Sequence, residues 1–154
     1  MNHEPNILTA LEPGPLHLSP CEAAAPPQAS GAEARFIGRT RPDHHPDHGA
    51  LIALEYEAHP TLAANKLQEI AMELQEAFAL SAITLRHAVG RVGIGEASVE
   101  VLVRADHRRE AFAACQAGID RIKASVPIWK REHWNDGTTW SDSSESTLHQ
   151  EHSS

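Results

Sequence analysis

At 154 residues with a formal charge of −8, the chain has the length of a single domain with its own core. The acidic excess lies at the ends: residues 1–34 and 135–154 each hold four acids and no Lys or Arg, leaving thirteen acids against thirteen Lys and Arg in 35–134. A neutral centre with 5% aromatic residues argues against a nucleic-acid-binding face, which needs a net basic domain with stacking rings, and no run approaches the roughly 18–20 apolar residues of a membrane span.

Residues 1–30 mix Pro, Ala and Glu around Pro13-Gly14-Pro15 and Pro26-Pro27. They read as a partly disordered leader with one short strand at the alternation of Leu16 and Leu18, then a poorly helical connection. Ala34 to Gly38 reads as a strand ending at glycine, and Ala50 to Glu57 as a second strand with Ile52, Leu54 and Tyr56 on one face. His59-Pro60-Thr61 opens a helix with proline in its first turn, and Leu67, Ile70, Leu74 and Phe78 form its core stripe. Ala82 to Val89 reads as a strand, Gly90, Gly93 and Gly95 as a turn, and Ser98 to Val103 as a strand with Val99, Val101 and Val103 facing inward. Asp106 is the expected N-cap of the next helix, whose stripe is Phe112, Cys115, Ile119 and Ile122. The pattern is α+β. The tail 141–154 is Ser, His and acid with almost nothing apolar, and disorder is expected there. With no basic region followed by an apolar run at the N-terminus, the chain reads as cytoplasmic.

Three motifs carry little weight. Gly90-Arg91-Val92-Gly93-Ile94-Gly95 joins two strands rather than a strand to a helix and lacks the lysine and hydroxyl of a phosphate loop, so a hairpin connection is expected. Asp43-His44-His45-Pro46-Asp47-His48 offers potential metal ligands without regular ligand spacing and reads as a solvated loop; no metal site is expected. Cys21 and Cys115 have no paired spacing, and Cys115 on a helix stripe reads as a buried small hydrophobe.

The basic residues Arg39, Arg41, His107, Arg108, Lys123, Lys130 and Arg131 are different because of where they lie. Pro127 cannot sit inside a helix and disfavours helix at Val126. Lys123 is therefore in the last turn of a helix and Lys130 on the extended segment after it, so two ammonium groups can converge on one anion. Trp129 alternates with Lys130, and burial of the indole on one face would turn the lysine to the other. His107 and Arg108 open the same helix, where free amides favour an anion.

The chain resembles the catalytic (large) subunit of molybdopterin synthase. The resemblance rests on Phe36-Ile37-Gly38-Arg39-Thr40-Arg41, Leu54-Glu55-Tyr56-Glu57-Ala58, Gly93-Ile94-Gly95-Glu96-Ala97-Ser98-Val99, His107-Arg108-Arg109-Glu110-Ala111-Phe112, and Val126-Pro127-Ile128-Trp129-Lys130-Arg131-Glu132 with Asp136-Gly137 and Trp140 behind it. These blocks stand in the family's order and mark 31–140 as the catalytic domain. The stretch around Pro26-Pro27 and the loop Pro42 to His48 depart from the family's usual pattern.

The resemblance implies an α/β-hammerhead-like domain, a mixed or antiparallel sheet packed by two main helices with a small extra β region. It implies conversion of cyclic pyranopterin monophosphate to molybdopterin in molybdenum cofactor biosynthesis. Sulfur would come from the C-terminal thiocarboxylate of a small ubiquitin-like partner, without a resident cofactor. The chain's own terminus, Glu151-His152-Ser153-Ser154, is no such donor, so the partner is expected in trans. The implied assembly is a dimer of large subunits with one small subunit at each end. Carried over position by position, Lys123 and Lys130 are the catalytic lysines. Arg39, Thr40, Arg41, His107, Arg108, Arg131 and Glu132 are substrate-binding, with the arginine segment contributed across the dimer. Two other classes stay open: a module that binds an anionic metabolite or partner tail without catalysis, which has no need of both lysines, and nucleic-acid binding, which the charge balance disfavours.

Overall fold

The computed structural model describes residues 6–18 and 30–141. In chain order these form β1 (Asn6–Pro13), β2 (Ala32–Arg39), β3 (His44–His45), β4 (Gly49–Ala58), α1 (Pro60–Phe78), β5 (Ala82–Gly93), β6 (Ala97–Ala105), α2 (Arg108–Ser125), β7 (Ile128–Trp134) and β8 (Gly137–Ser141). The α+β class and both helices are as expected. The expected disorder beyond Ser141 lies outside the described residues.

β5 holds the architecture together. Its first part lies between β6, antiparallel, and β1, parallel; its last four residues, Gly90 to Gly93, pair instead with β4. The sheet runs β2-β6-β5-β4-β7-β8. The glycines expected to form a turn are therefore mostly strand. Gly90, at φ +85°, takes a conformation that costs glycine little where the strand changes partners. The reversal itself is confined to Gly93–Glu96, closed by Glu96 N–H donating to Gly93 O at 3.1 Å.

The leader's strand is Asn6–Pro13 rather than Leu16–Leu18. Ile7 and Leu11 pack on the main core, and the Thr9 hydroxyl between them donates to Gln68 of α1 at 2.9 Å, so alternation with a polar member hid this strand. Leu16 is buried in a second cluster with Ala88, Val92 and Ala97.

α1 is capped by the imidazole of His59, whose Nδ1 accepts from Leu62 N–H at 3.2 Å, and buries Ala63, Leu67, Ile70, Ala71 and Leu74. α2 departs from expectation at two points. Its N-cap is His107, still extended and making no side-chain cap bond, which leaves Asp106 one residue too early to cap. Its buried row is Ala111, Ala114, Cys115, Gly118 and Ile122, whereas Phe112 is 68% exposed. Size outweighs hydropathy there: a Cβ on Gly118 would lie 2.8 Å from Val101 Cγ1, so only a row of small residues lets the helix approach β6. In β4, a bulge between Leu51 and Ala53 opposite β7 shifts the alternation, so Ile52 is exposed while Ala53 is buried.

The sheet face away from the helices carries charge. Glu100 bonds Arg35 and also accepts from Arg86 Nη1 at 2.9 Å; Arg86 Nη2 reaches Glu12 at 2.9 Å and the His17 carbonyl at 2.8 Å. Arg104 bonds Glu33 at 3.0 Å.

Candidate active site

A cleft of roughly 690 Å³ opens where α2 ends and β4 and β7 fold over the main sheet. Its floor is the helix-side end of that sheet, with Phe36 and Gly38 from β2, Val99 from β6 and His87 from β5. One wall is the last turns of α2 with Ile119, Ile122 and Lys123, and the other is the face of β4 and β7 bearing Leu54, Tyr56, Lys130 and Glu132. Lys123 arrives from a helix end and Lys130 from a strand, as the proline between them requires. Ser125 Oγ donates back to Arg121 O at 2.7 Å and Val126 N–H to Ile122 O at 3.1 Å, which closes the helix before the chain turns into β7.

Register places the second wall. Tyr56 pairs directly with Lys130 and Leu54 with Glu132, and side chains opposite one another in an antiparallel pair share a face. Glu132 Oε2 accepts from Thr139 at 2.8 Å, which fixes the carboxylate at the cleft's edge. Trp129 is 46% exposed rather than buried, so the lysine's inward direction comes from strand pairing and not from an anchored indole.

Arg39, Thr40 and Arg41 line the same cleft. Arg39 Nη1 donates to Gly95 O at 2.9 Å, and the Thr40 main chain is clamped by Glu96 O at 3.1 Å and Gly95 N at 2.7 Å. The β5–β6 turn thus holds the arginine segment at the cleft that carries its own chain's lysines. Thr40 Oγ1 is buried without a hydrogen-bond partner.

Three expected site residues lie elsewhere. His107 and Arg108 open α2, and the 1.5 Å rise per residue puts Arg108 about 22 Å from Lys123 along the helix. Arg131 points to the other face of β7, where its guanidinium stacks 4.4 Å from the Trp140 ring and its Nη1 lies 3.9 Å from Glu55. From the loop 42–48 only Asp43 reaches the cleft; the His45 and His48 rings pack on each other at 4.6 Å. Among the described residues no group of three or more His, Cys, Asp or Glu is placed to hold a metal ion. Cys115 is buried, and that burial raises its thiol above the ordinary value, as befits a core residue.

The cleft also contains Tyr56, His87 and Ser98. Burial raises the Tyr56 hydroxyl, with Ser98 as its hydrogen-bonding neighbour working the other way, and burial lowers the His87 imidazole. None of the three was expected in the site. The signal was a histidine in the alternate row of β5 that otherwise carries Ile83 and Leu85.

The family model described as MoaE protein matches residues 11–125. The molybdopterin synthase catalytic subunit of Nostoc sp. is 38% identical over 133 residues, covering 85% of this chain and 79% of the relative. That of Caulobacter vibrioides is 41% identical over 130 residues, covering 84% and 82%. The crystal structure of molybdopterin synthase from Staphylococcus aureus superposes with a TM-score of 0.77 at 30% identity, covering 85% of this chain and 94% of that one. On the family match, and on relatives alike over most of both lengths, the chain belongs to the MoaE family.

Proposed function

We propose that the chain transfers sulfur from the C-terminal thiocarboxylate of a small ubiquitin-like carrier to cyclic pyranopterin monophosphate, building the dithiolene of molybdopterin in molybdenum cofactor biosynthesis. The observation that carries this reading is the convergence of Lys123, Lys130, Arg39 and Arg41 on one cleft. Attack by a thiocarboxylate needs its charge held, a leaving oxygen protonated and a phosphate stabilised as its ring opens, and fixed cations serve all three. Lys123 holds the thiocarboxylate and exchanges the proton; Lys130 supports charge on the pterin or phosphate; Arg39 and Arg41 bind the phosphate. Sulfur arrives on the carrier, so the reading includes no resident cofactor, and it places the reaction in the cytoplasm. The working assembly is a dimer of this chain with a carrier at each end, in which His107 and Arg108 serve the cleft of the other copy because α2 keeps them from their own.

The test is reconstitution with thiocarboxylated carrier and cyclic pyranopterin monophosphate, following molybdopterin as its fluorescent oxidised derivative. K123A should lose about 100-fold or more of the turnover, the usual scale for a group that moves a proton, while remaining dimeric. Near-normal turnover by folded K123A would sink the assignment.

A further inference from the structure

The cationic roles leave a neutral group in the cleft unused. His87 follows Ile83 and Leu85 on the helix side of β5, opposite Val99 of β6, and is 8% exposed. Its Nδ1 lies 2.7 Å from the Ala88 carbonyl oxygen. A carbonyl only accepts, so Nδ1 carries the proton and Nε2 keeps its lone pair. Nε2 makes no hydrogen bond to a described residue, and the ring lines the cleft. Tyr56 packs edge-on against this ring at 5.0 Å and is itself tied to Ser98, whose Oγ donates to Gly38 O at 3.3 Å. The imidazole is thus held in tautomer and in plane.

Tyr56 from β4 touches the ring, and the charged groups that line the same cleft are Lys123 from α2, Lys130 and Glu132 from β7, and Arg39, Arg41 and Asp43 from β2 and the segment after it. β6 presents the uncharged Ser98 and Val99, and β1 pairs through Leu11. Cations outnumber anions in this set, and burial acts in the same direction on the imidazole, so its neutral form predominates near neutral pH.

The sulfur-transfer reading, on which this inference rests, leaves one step without an agent. A thiocarboxylate that bonds through sulfur to a side-chain carbon of the pterin is still attached to the carrier as a thioester, and water must cleave it. Lys130, Arg39 and Arg41 are cations holding anions and have no lone pair to offer, Lys123 is taken up with the thiocarboxylate and the leaving oxygen, and the Glu132 carboxylate is held by Thr139. We propose that His87 is the general base of this hydrolysis. Water oxygen bonds to the acyl carbon as one water proton passes to Nε2, and the acyl carbon–sulfur bond breaks. Sulfur stays on the pterin as a thiolate. The carrier leaves as a carboxylic acid that ionises to carboxylate, and the imidazolium returns its proton to the thiolate or to solvent. Nothing is oxidised or reduced.

The test is the reconstituted assay with H87N, whose amide N–H can still serve the Ala88 carbonyl while Nε2 is gone, and with H87Q beside it. Turnover should fall about 100-fold or more, within the range for general-base catalysis. A carrier–pterin thioester should accumulate by intact mass, and hydroxylamine should restore release by cleaving it. Turnover within a few-fold of wild type overturns the assignment, as does lost turnover without a thioester. Wild-type protein gives an independent readout: product release should slow on acidification while thioester formation does not, and release that stays flat on acidification down to the pH at which the protein unfolds overturns the assignment even if both variants misfold. A wild-type chain that makes no product overturns the sulfur-transfer reading and this inference with it, whereas normal H87N beside an active wild type overturns only the inference.

Discussion

Glu100 offers the sharpest test of how the reverse face of the sheet is held. Its side chain is 4% exposed and sits between Arg35 and Arg86. The substitution E100Q keeps the volume, removes the charge and turns an amide N–H toward guanidinium donors. Breaking a buried ion pair by removing one partner costs about 3–5 kcal/mol. The low end applies here, because Arg86 retains Glu12 and the His17 carbonyl and Arg35 retains further interactions. An expected loss of about 3 kcal/mol corresponds to roughly 6–12 °C in melting temperature for a chain of this size. Urea unfolding at fixed ionic strength should show a lower midpoint with an unchanged slope. E73Q is the control, since Glu73 pairs with Arg121 at 3.2 Å with both side chains about half exposed, and such a pair contributes less than about 1 kcal/mol. The reasoning is refuted if E100Q and E73Q shift the midpoint equally.

Two backbone substitutions should act in opposite directions, read as melting temperatures. Ala79 ends α1 in the left-handed region at φ 50°, which costs a residue with a Cβ roughly 1–2 kcal/mol, so A79G should stabilise by about 0.5–1 kcal/mol; a loss of stability would refute the strain argument. G118A gains about 1 kcal/mol of helix propensity but drives a methyl against Val101 in a filled core, where overpacking costs about 1–3 kcal/mol, and should destabilise on balance. His87 gives a pH signature. Burial holds its folded-state value below the ordinary 6.5, so the unfolded chain binds the proton first and stability should fall as pH drops below about 6.5. Denaturant midpoints at about pH 7.5 and about pH 5 should differ by less in H87N than in wild type, and equal differences would exclude His87 as the source.

The elements that could be read in advance were those where period and polarity agree. The α1 stripe has both, and Pro127 separated the lysines by stereochemistry that packing cannot override. Failures occurred where a geometric fact outranked hydropathy. Phe112 is apolar and at helical spacing, but α2 approaches β6 through Ala111, Ala114 and Gly118. Ile52 alternates correctly until the bulge shifts the face. Arg131 follows Lys130 in sequence, and strand period alone places it on the other face. The arginine segment reaches its own chain's cleft because of a turn between β5 and β6 that has no local signal in residues 39–41. His87 could have been noticed as a titratable residue in the apolar row of Ile83 and Leu85; its fixed tautomer could not, since that depends on one carbonyl.

Arg86 and His87 are consecutive in β5, and period two puts them on opposite faces. Arg86 joins a charge network spanning β1, β2 and β6 through Glu12, Arg35 and Glu100, while His87 enters the cleft. A slip of one residue would exchange them, placing a guanidinium among the cations of the cleft and an imidazole against Glu100. Purely apolar pairing on the reverse face would have been about as stable, because buried ion pairs seldom exceed well-packed hydrophobic replacements. It would have distinguished registers less sharply, since Val and Leu tolerate either face. Four residues later β5 turns at Gly90 to pair with β4, which brings Tyr56, and through β7 Lys130, over the same cleft. The buried charges therefore set the register of the strand from which the second wall of the cleft is built, which ties the position of Lys130 to a network on the far side of the sheet.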